Sequence, residues 1–99
     1  MHLRTACEAL SAGKRLALLY DGYSRVVEVH VAGYSKEGNA LMRVWQARGG
    51  SESGESIGWK LMRLDESFSG QIIDEKSLAP RPGYKRDDVA MKGGIKCQL

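Results

Sequence analysis

The sequence predicts a mainly β protein, with one N-terminal α-helix followed by a small, strongly curved antiparallel sheet or β-barrel. Three observations predict this class: a helical apolar stripe at the start, four or five apolar segments of strand length after it, and turn-forming segments between them. Short strands joined by hairpin-length loops are typical of curved sheets and small barrels. Parallel β-α-β units are excluded, because they need more helices than this sequence offers.

The helix is predicted over residues 3–12. The members of its apolar stripe are Leu3, Ala6, Cys7 and Leu10. Gly13 follows where a left-handed C-cap would end the helix. Lys14 and Arg15 come next, near the partial negative charge of the helix C-terminus, which favours cations.

Five strands are predicted after the helix, over residues 16–20, 25–31, 40–47, 57–64 and 68–73. Asp21-Gly22 makes a tight turn between the first two strands. Residues 48–56 form a polar loop with little to bury. Residues 1–78 are therefore the helix and five-stranded body, whereas residues 79–99 are a basic C-terminal segment that packs back, adds a strand or is partly disordered.

The second predicted strand has two chemically different faces. Val27, Val29 and Val31 share the face that we expect to be buried, because side chains alternate along a strand. Glu28 and His30 share the other face. This second face is either solvated, or it presents His30 to a ligand as a group that changes charge near neutral pH.

The excess positive charge is confined to the C-terminal segment. The chain of 99 residues has a formal net charge of +3, yet residues 1–78 contain equal numbers of basic and acidic side chains. Any affinity for polyanions therefore needs a local basic patch, because the main body has no net charge.

The composition is that of an ordinary soluble globular domain, and we expect a cytoplasmic protein. No apolar run is long enough to span a membrane, and no signal-peptide pattern is found at the start. Cys7 and Cys97 are therefore predicted to be two reduced thiols. Neither has a metal-ligating neighbour at a suitable spacing, so we expect no metal and no other cofactor.

No enzyme signature is found. Residues 49–56 keep the glycine spacing of a phosphate-binding loop, but Glu55 stands where the lysine is required. The serines lack a nucleophile-elbow motif, and the one internal histidine lies inside a predicted strand. We therefore expect a non-enzymatic protein.

Arginine and tryptophan alternate along two predicted strands. Arg43 and Trp45 share a face of the third strand, and Trp59 and Arg63 share a face of the fourth. Paired in register, these strands would form one surface able to bind phosphate and stack on bases. The alternative is that the tryptophans belong to the core and the arginines pair with acids across strands.

The order of these features resembles the WYL domain family. Tyr20 fits the end of that family's first strand, Arg25–His30 its Arg-Val-x-Glu strand, and Trp59–Asp65 its closing strand. The strand around residues 40–42 takes the place of the Trp-Tyr-Leu motif but lacks the Trp and Tyr. The resemblance implies a small Sm-like β-barrel of the kind found in bacterial regulatory proteins, which is thought to sense nucleotides or nucleic-acid fragments.

These observations predict a non-enzymatic, WYL-like sensor module that binds a nucleotide, a short single-stranded nucleic acid or another anionic ligand. The resemblance implies Tyr20, Arg25, His30 and Arg63 as ligand contacts, and the alternating surface adds Arg43 and Trp45. The alternative is a protein-interaction or homo-oligomerising subunit that uses a strand edge or the basic C-terminal segment. No interaction with a membrane is expected.

Overall fold

A computed structural model describes residues 1–99. The elements are one helix, α1 (Leu3–Ala12), and six strands: β1 (Lys14–Tyr20), β2 (Tyr23–Tyr34), β3 (Ala40–Gly49), β4 (Gly58–Arg63), β5 (Ser67–Lys76) and β6 (Gly94–Gln98). A 3-10 turn (Leu64–Glu66) connects β4 to β5. The predicted helix and the five predicted strands are all present, so the mainly β class is confirmed.

The strands form one antiparallel sheet in the order β4-β3-β2-β1-β5, and β6 pairs with the second half of β2. No pairing joins β4 to β5, so the sheet is not closed into a barrel. Of the two predicted forms, the antiparallel sheet is therefore confirmed and the closed barrel is wrong.

Helix α1 packs against one face of the sheet and completes the larger apolar core. Ala6 and Ala9 are fully buried against side chains of β1 to β4. Gly13 ends the helix in the left-handed conformation, as the sequence predicts. With ten residues, α1 is too short to cross a membrane.

A bulge in β2 assigns its valines to two different cores. Val27 and Val29 lie in the larger core, as predicted. The pairing of β2 with β3 shifts between Val29 and Val31, which changes the face that the following side chains occupy. Val31 therefore lies in a second core with Leu41 and Met91, and the prediction of one shared valine face is wrong for this residue.

The C-terminal segment wraps back over the second face of the sheet and ends in β6. Leu78 and Arg81 donate backbone hydrogen bonds to side chains of β2, and Met91 is buried in the second core. Gly33 permits the close approach of β6, since a Cβ atom there would meet the carbonyl oxygen of Gly94. Of the three sequence alternatives for this segment, packing back and adding a strand both occur.

A disulfide joins Cys7 of α1 to Cys97 of β6, across 90 positions of sequence. The prediction of two reduced thiols is therefore wrong. The spacing of the two cysteines carried no signal for a bond, because their proximity depends on the return of the C-terminal segment to the helix. The disulfide fixes the last strand to the first element of the fold.

Candidate functional site

The candidate site is a cleft between the β3–β4 hairpin and residues 83–89, with a volume of about 340 Å³. We call it the C-terminal cleft. It is lined by Arg43, Trp59, Gly83, Tyr84, Lys85, Arg86, Asp87, Asp88 and Val89. Aromatic rings and cationic side chains meet in this cleft, which is the combination expected of a site for a planar anion.

Two aromatic rings from distant parts of the sequence form the apolar side of the cleft. Trp59 of β4 lies opposite Trp45 of β3 and contacts it edge to face at 5.5 Å. The rings of Trp59 and Tyr84 are tilted by only 28° and their centroids are 6.4 Å apart. The indole N–H of Trp59 also donates to the Pro82 carbonyl oxygen at 3.3 Å, which ties this wall to the C-terminal segment.

The cations of the cleft differ in their hydrogen-bond and ion-pair partners. Arg43 donates two hydrogen bonds to the Asp88 carboxylate, at 2.8 and 3.3 Å. The hydrogen bond from Arg43 outweighs burial and lowers the pKa of Asp88. Arg86 donates only to the Leu99 carbonyl oxygen, and Lys85 has no hydrogen-bonding or ionic partner. Lys85 and Arg86 are exposed and neither forms an ion pair with an Asp or Glu side chain, so they are the cations that can meet a ligand.

The loop that carries these cations is fastened to β6 and the residue after it. Gln98 accepts a hydrogen bond from the backbone N–H of Asp87 and donates one to its carboxylate. The Tyr84 hydroxyl donates to the Leu99 carbonyl oxygen at 3.3 Å. The shape of the cleft therefore depends on the docking of β6, which is itself held by the disulfide at Cys97.

His30 lies beneath the cleft and is fully buried. Its Nε2 accepts a hydrogen bond from the backbone N–H of Arg81 at 2.9 Å, so Nδ1 carries the proton and donates to the Glu28 carbonyl oxygen at 3.0 Å. The imidazole also packs against the rings of Trp59 and Tyr84. Neither sequence interpretation describes this environment, because the face is not solvated and both ring nitrogens are occupied by the protein.

The neutral state of His30 predicts a pH-dependent stability. Burial lowers the pKa of His30 from its ordinary value of 6.5, and protonation would also remove the Nε2 acceptor used by Arg81. As the pH falls through about 6.5, the unfolded chain binds a proton that the folded protein does not. The free energy of unfolding should therefore be highest above about pH 6.5 and fall below it, by up to about 1.4 kcal/mol per pH unit.

Urea unfolding at pH 7.5, 6.5 and 5.5 measures this slope. We expect His30→Gln to remove most of it, whereas the matched control His2→Gln, at an exposed histidine, should retain it. Carboxyl groups titrate mainly below this range. Equal slopes in His30→Gln and the unmodified protein would contradict the assignment.

Glu28 is the centre of a buried ion network on the same face of β2. Its carboxylate is fully buried and accepts from Arg81 at 2.7 and 3.2 Å, from Arg15 at 3.0 Å and from the Leu78 N–H at 2.9 Å. Burial by itself raises the pKa of this carboxyl. The four hydrogen bonds outweigh that effect, and the pKa of Glu28 is lower than usual.

Arg25 is enclosed rather than exposed. The side chain is 3% exposed and its guanidinium lies over the rings of Tyr20 and Tyr23, at 5.2 and 5.5 Å from their centroids. It donates to the Tyr20 carbonyl oxygen and to the side chain of Gln46. The Tyr20 hydroxyl accepts from the Arg63 N–H at 3.3 Å, so Tyr20 also serves internal contacts.

The remaining three predicted ligand residues lie on one face of the β3–β4 hairpin, as the alternation indicates. The register places Trp45 opposite Trp59, Arg43 opposite Leu61, and Arg63 opposite Leu41. Arg43 lines the cleft, and Trp45 stands behind Trp59 with the Arg81 guanidinium 5.2 Å from its ring. Arg63 lies outside the cleft and binds the Asp65 carboxylate at 2.6 and 3.0 Å.

Three residues of the cleft, Tyr84, Lys85 and Arg86, were not among the predicted ligand contacts. Their signal in the sequence was the charge excess of residues 79–99, which placed unpaired cations next to one tyrosine. Trp59 was in the alternating surface but was not selected. What the sequence could not indicate was that the C-terminal segment lies across this hairpin and not elsewhere.

No group of three or more His, Cys, Asp or Glu side chains is placed to hold a metal ion. The side chains that line the cleft can stack on a planar ring and form ionic hydrogen bonds. No family model matches the chain, and neither a curated protein nor a solved structure matches it.

Proposed function

We propose that this protein is a non-enzymatic binding module for an anionic ligand with a planar ring, such as a nucleotide or a short piece of nucleic acid. The ligand binds in the C-terminal cleft. The observation that supports this function is the meeting of the Trp59 and Tyr84 rings with two exposed cations, Lys85 and Arg86. Stacking of a base on an aromatic side chain contributes about 1–3 kcal/mol, and the cations add affinity for phosphate.

The proposed contacts differ from those that the WYL resemblance implies. Arg25 and His30 form hydrogen bonds with other groups of the protein. They therefore have a structural role and do not contact the ligand. Arg43 and Trp45 retain a role, the first as a wall of the cleft and the second as packing behind Trp59. A WYL-like sensor therefore stays our proposal for the class, with the ligand site moved to the C-terminal segment.

We infer that the sheet is strongly curved, as the Sm-like resemblance implies. β4 and β5 stand at opposite ends of the strand order, which in a flat sheet would separate them by about 19 Å at ~4.8 Å per strand. Three residues nevertheless connect them, and the Ser67 hydroxyl donates to the Arg63 carbonyl oxygen at 2.8 Å. Curvature of this kind supports the resemblance to small curved-sheet domains, even though the sheet is not closed.

The test is a fluorescence titration in a Trp45→Phe background, in which Trp59 is the one remaining tryptophan. Adenosine monophosphate should quench Trp59 saturably at low salt. Lys85→Ala should weaken binding about fivefold or more, because it removes the unpaired cation, while Arg63→Ala should leave the affinity unchanged. Binding that is lost in Arg63→Ala and retained in Lys85→Ala would contradict the proposed site.

A protein-interaction subunit is the second candidate, favoured by the free edges of the sheet. β4 and β5 each have one unpaired edge, and Leu61 and Phe68 on these strands are 41% and 60% exposed. An exposed strand edge with apolar side chains is a common docking surface. Light scattering after size exclusion should then report a dimer or larger assembly that Phe68→Lys converts to monomer. A monomer at all concentrations would remove the homo-oligomer form of this candidate.

The cytoplasmic location expected from the sequence stays a prediction. The disulfide between Cys7 and Cys97 favours an oxidising compartment instead, because cytoplasmic thiols are usually kept reduced. Alkylation of free thiols in intact cells, followed by mass measurement, separates the two locations. Two alkylated cysteines support the cytoplasm, and none supports an oxidising compartment.

A further inference from the structure

We propose, on the basis of the proposed function, that the C-terminal cleft takes one ring bearing a single phosphate and discriminates against polyphosphates and nucleic-acid chains. The ligand class is thus a nucleoside monophosphate or a compound of the same shape and charge. Three features of the structure support this: the size of the cleft, the balance of charge along its walls, and the pairing of arginines elsewhere on the surface.

The cleft is small and bounded. Its volume of about 340 Å³ is at the lower end of the range of roughly 300–1,000 Å³ that ligand pockets occupy. Its aromatic side is formed by two rings, Trp59 and Tyr84, with no further exposed aromatic along the wall to receive a second base. Proteins that bind single strands instead stack successive bases along an extended basic groove.

The charges of the cleft suit one phosphate. Arg43, Lys85 and Arg86 face it together with Asp87 and Asp88, which leaves one net positive charge. Asp88 is neutralised by Arg43, but Asp87 has only the neutral Gln98 as its partner. Any second or third phosphate placed beside Lys85 and Arg86 would lie near the Asp87 carboxylate and be repelled by it.

The arginines of the sheet outside the cleft are not free to bind a chain of phosphates. Four arginines of the sheet lie outside the cleft, and each of them forms an ion pair: Arg15, Arg25, Arg48 and Arg63. Arg81 is bound to Glu28. A duplex or single strand gains affinity by neutralising many phosphates at once. Such a contact would have to break the ion pairs of these arginines, whereas Lys85 and Arg86 at the cleft have no acidic side chain as a partner.

The experiment compares three probes on the full-length Trp45→Phe protein: adenosine monophosphate, adenosine triphosphate and a twelve-nucleotide single-stranded oligonucleotide. The monophosphate should bind about fivefold more tightly than the triphosphate, and its affinity should fall less than about tenfold between 50 and 200 mM salt. Asp87→Asn should bring the two affinities together, because it removes the repelling charge and keeps the side-chain oxygen that Gln98 uses. Asp65→Asn removes an equal charge outside the cleft and should leave the ratio unchanged.

The outcomes separate this inference from the proposed function. Tighter binding of the triphosphate would overturn the monophosphate assignment and leave an anion site in place. So would tighter binding of the oligonucleotide, with an affinity that falls roughly 10³-fold or more between 50 and 200 mM salt. An unchanged ratio in Asp87→Asn would also overturn it. Absence of binding by all three probes would remove the proposed function itself.

Discussion

Replacing Glu28 with glutamine is expected to lower the free energy of unfolding by about 3–5 kcal/mol. The carboxylate is fully buried and accepts hydrogen bonds from two guanidinium groups, those of Arg15 and Arg81. The side chains of Arg15 and Arg81 are only 18% and 22% exposed. Removing the buried negative charge leaves the Arg81 guanidinium without an acidic partner and Arg15 with Glu75 alone, so it costs more than the loss of a surface ion pair.

Urea unfolding monitored by circular dichroism measures this loss, and the matched control is Glu37→Gln. Glu37 is exposed and has no ionic partner, so its replacement should change stability by less than about 0.5 kcal/mol. Thermal unfolding should move in the same direction, by about 4–8 °C per kcal/mol in a domain of this size. Equal midpoints for Glu28→Gln and Glu37→Gln would show that the network contributes nothing net to stability.

Replacing Cys97 with serine is expected to lower the free energy of unfolding by about 2–5 kcal/mol. The disulfide to Cys7 closes a loop of 90 positions, and a loop of this length restricts the unfolded chain strongly. The Cys97→Ser variant should also lose part of the cleft, because residues 84–87 are held by Gln98 of β6 and by Leu99, which follows it. Nucleotide affinity should consequently fall together with stability.

Unfolding with and without a dithiol reductant gives the measurement. The unmodified protein should unfold at lower urea concentration in the reductant, whereas the double variant Cys7→Ser/Cys97→Ser should be insensitive to it. Leu78→Ala, a larger truncation at an exposed position just before the C-terminal segment, serves as the control and should have little effect. Two reactive thiols in the native protein purified without reductant would contradict the disulfide.

The elements with their own local signals were predicted well. The stripe from Leu3 to Leu10 predicted α1 to the residue, and Gly13 adopts the left-handed cap. The turn at Asp21-Gly22 has positive φ at both residues, which suits the tight hairpin that the sequence indicates. Even the shared face of Arg43, Trp45, Trp59 and Arg63 followed from alternation, because the β3–β4 hairpin pairs in the simple register.

Most of the errors have one cause, which is the return of the C-terminal segment. Glu28 and His30 alternate with valine as on an ordinary half-exposed strand, yet both are fully buried. Nothing within β2 distinguishes a solvated face from one covered by residues fifty positions later. The bulge that moves Val31 into the second core is likewise set by pairing with β3, so strict alternation could not predict it.

By itself, the sequence determined the helix, the positions of five strands along the chain and the side of the β3–β4 hairpin on which aromatic and cationic groups lie. These follow from periodicity and turn chemistry, which act over a few residues. Only the tertiary structure decided that Arg25 and His30 are sealed inside, that Cys7 meets Cys97, and that Tyr84 and Lys85 complete a cleft with Trp59. Contacts between residues far apart in the chain depend on how a whole segment packs, and no local pattern of side chains encodes that placement.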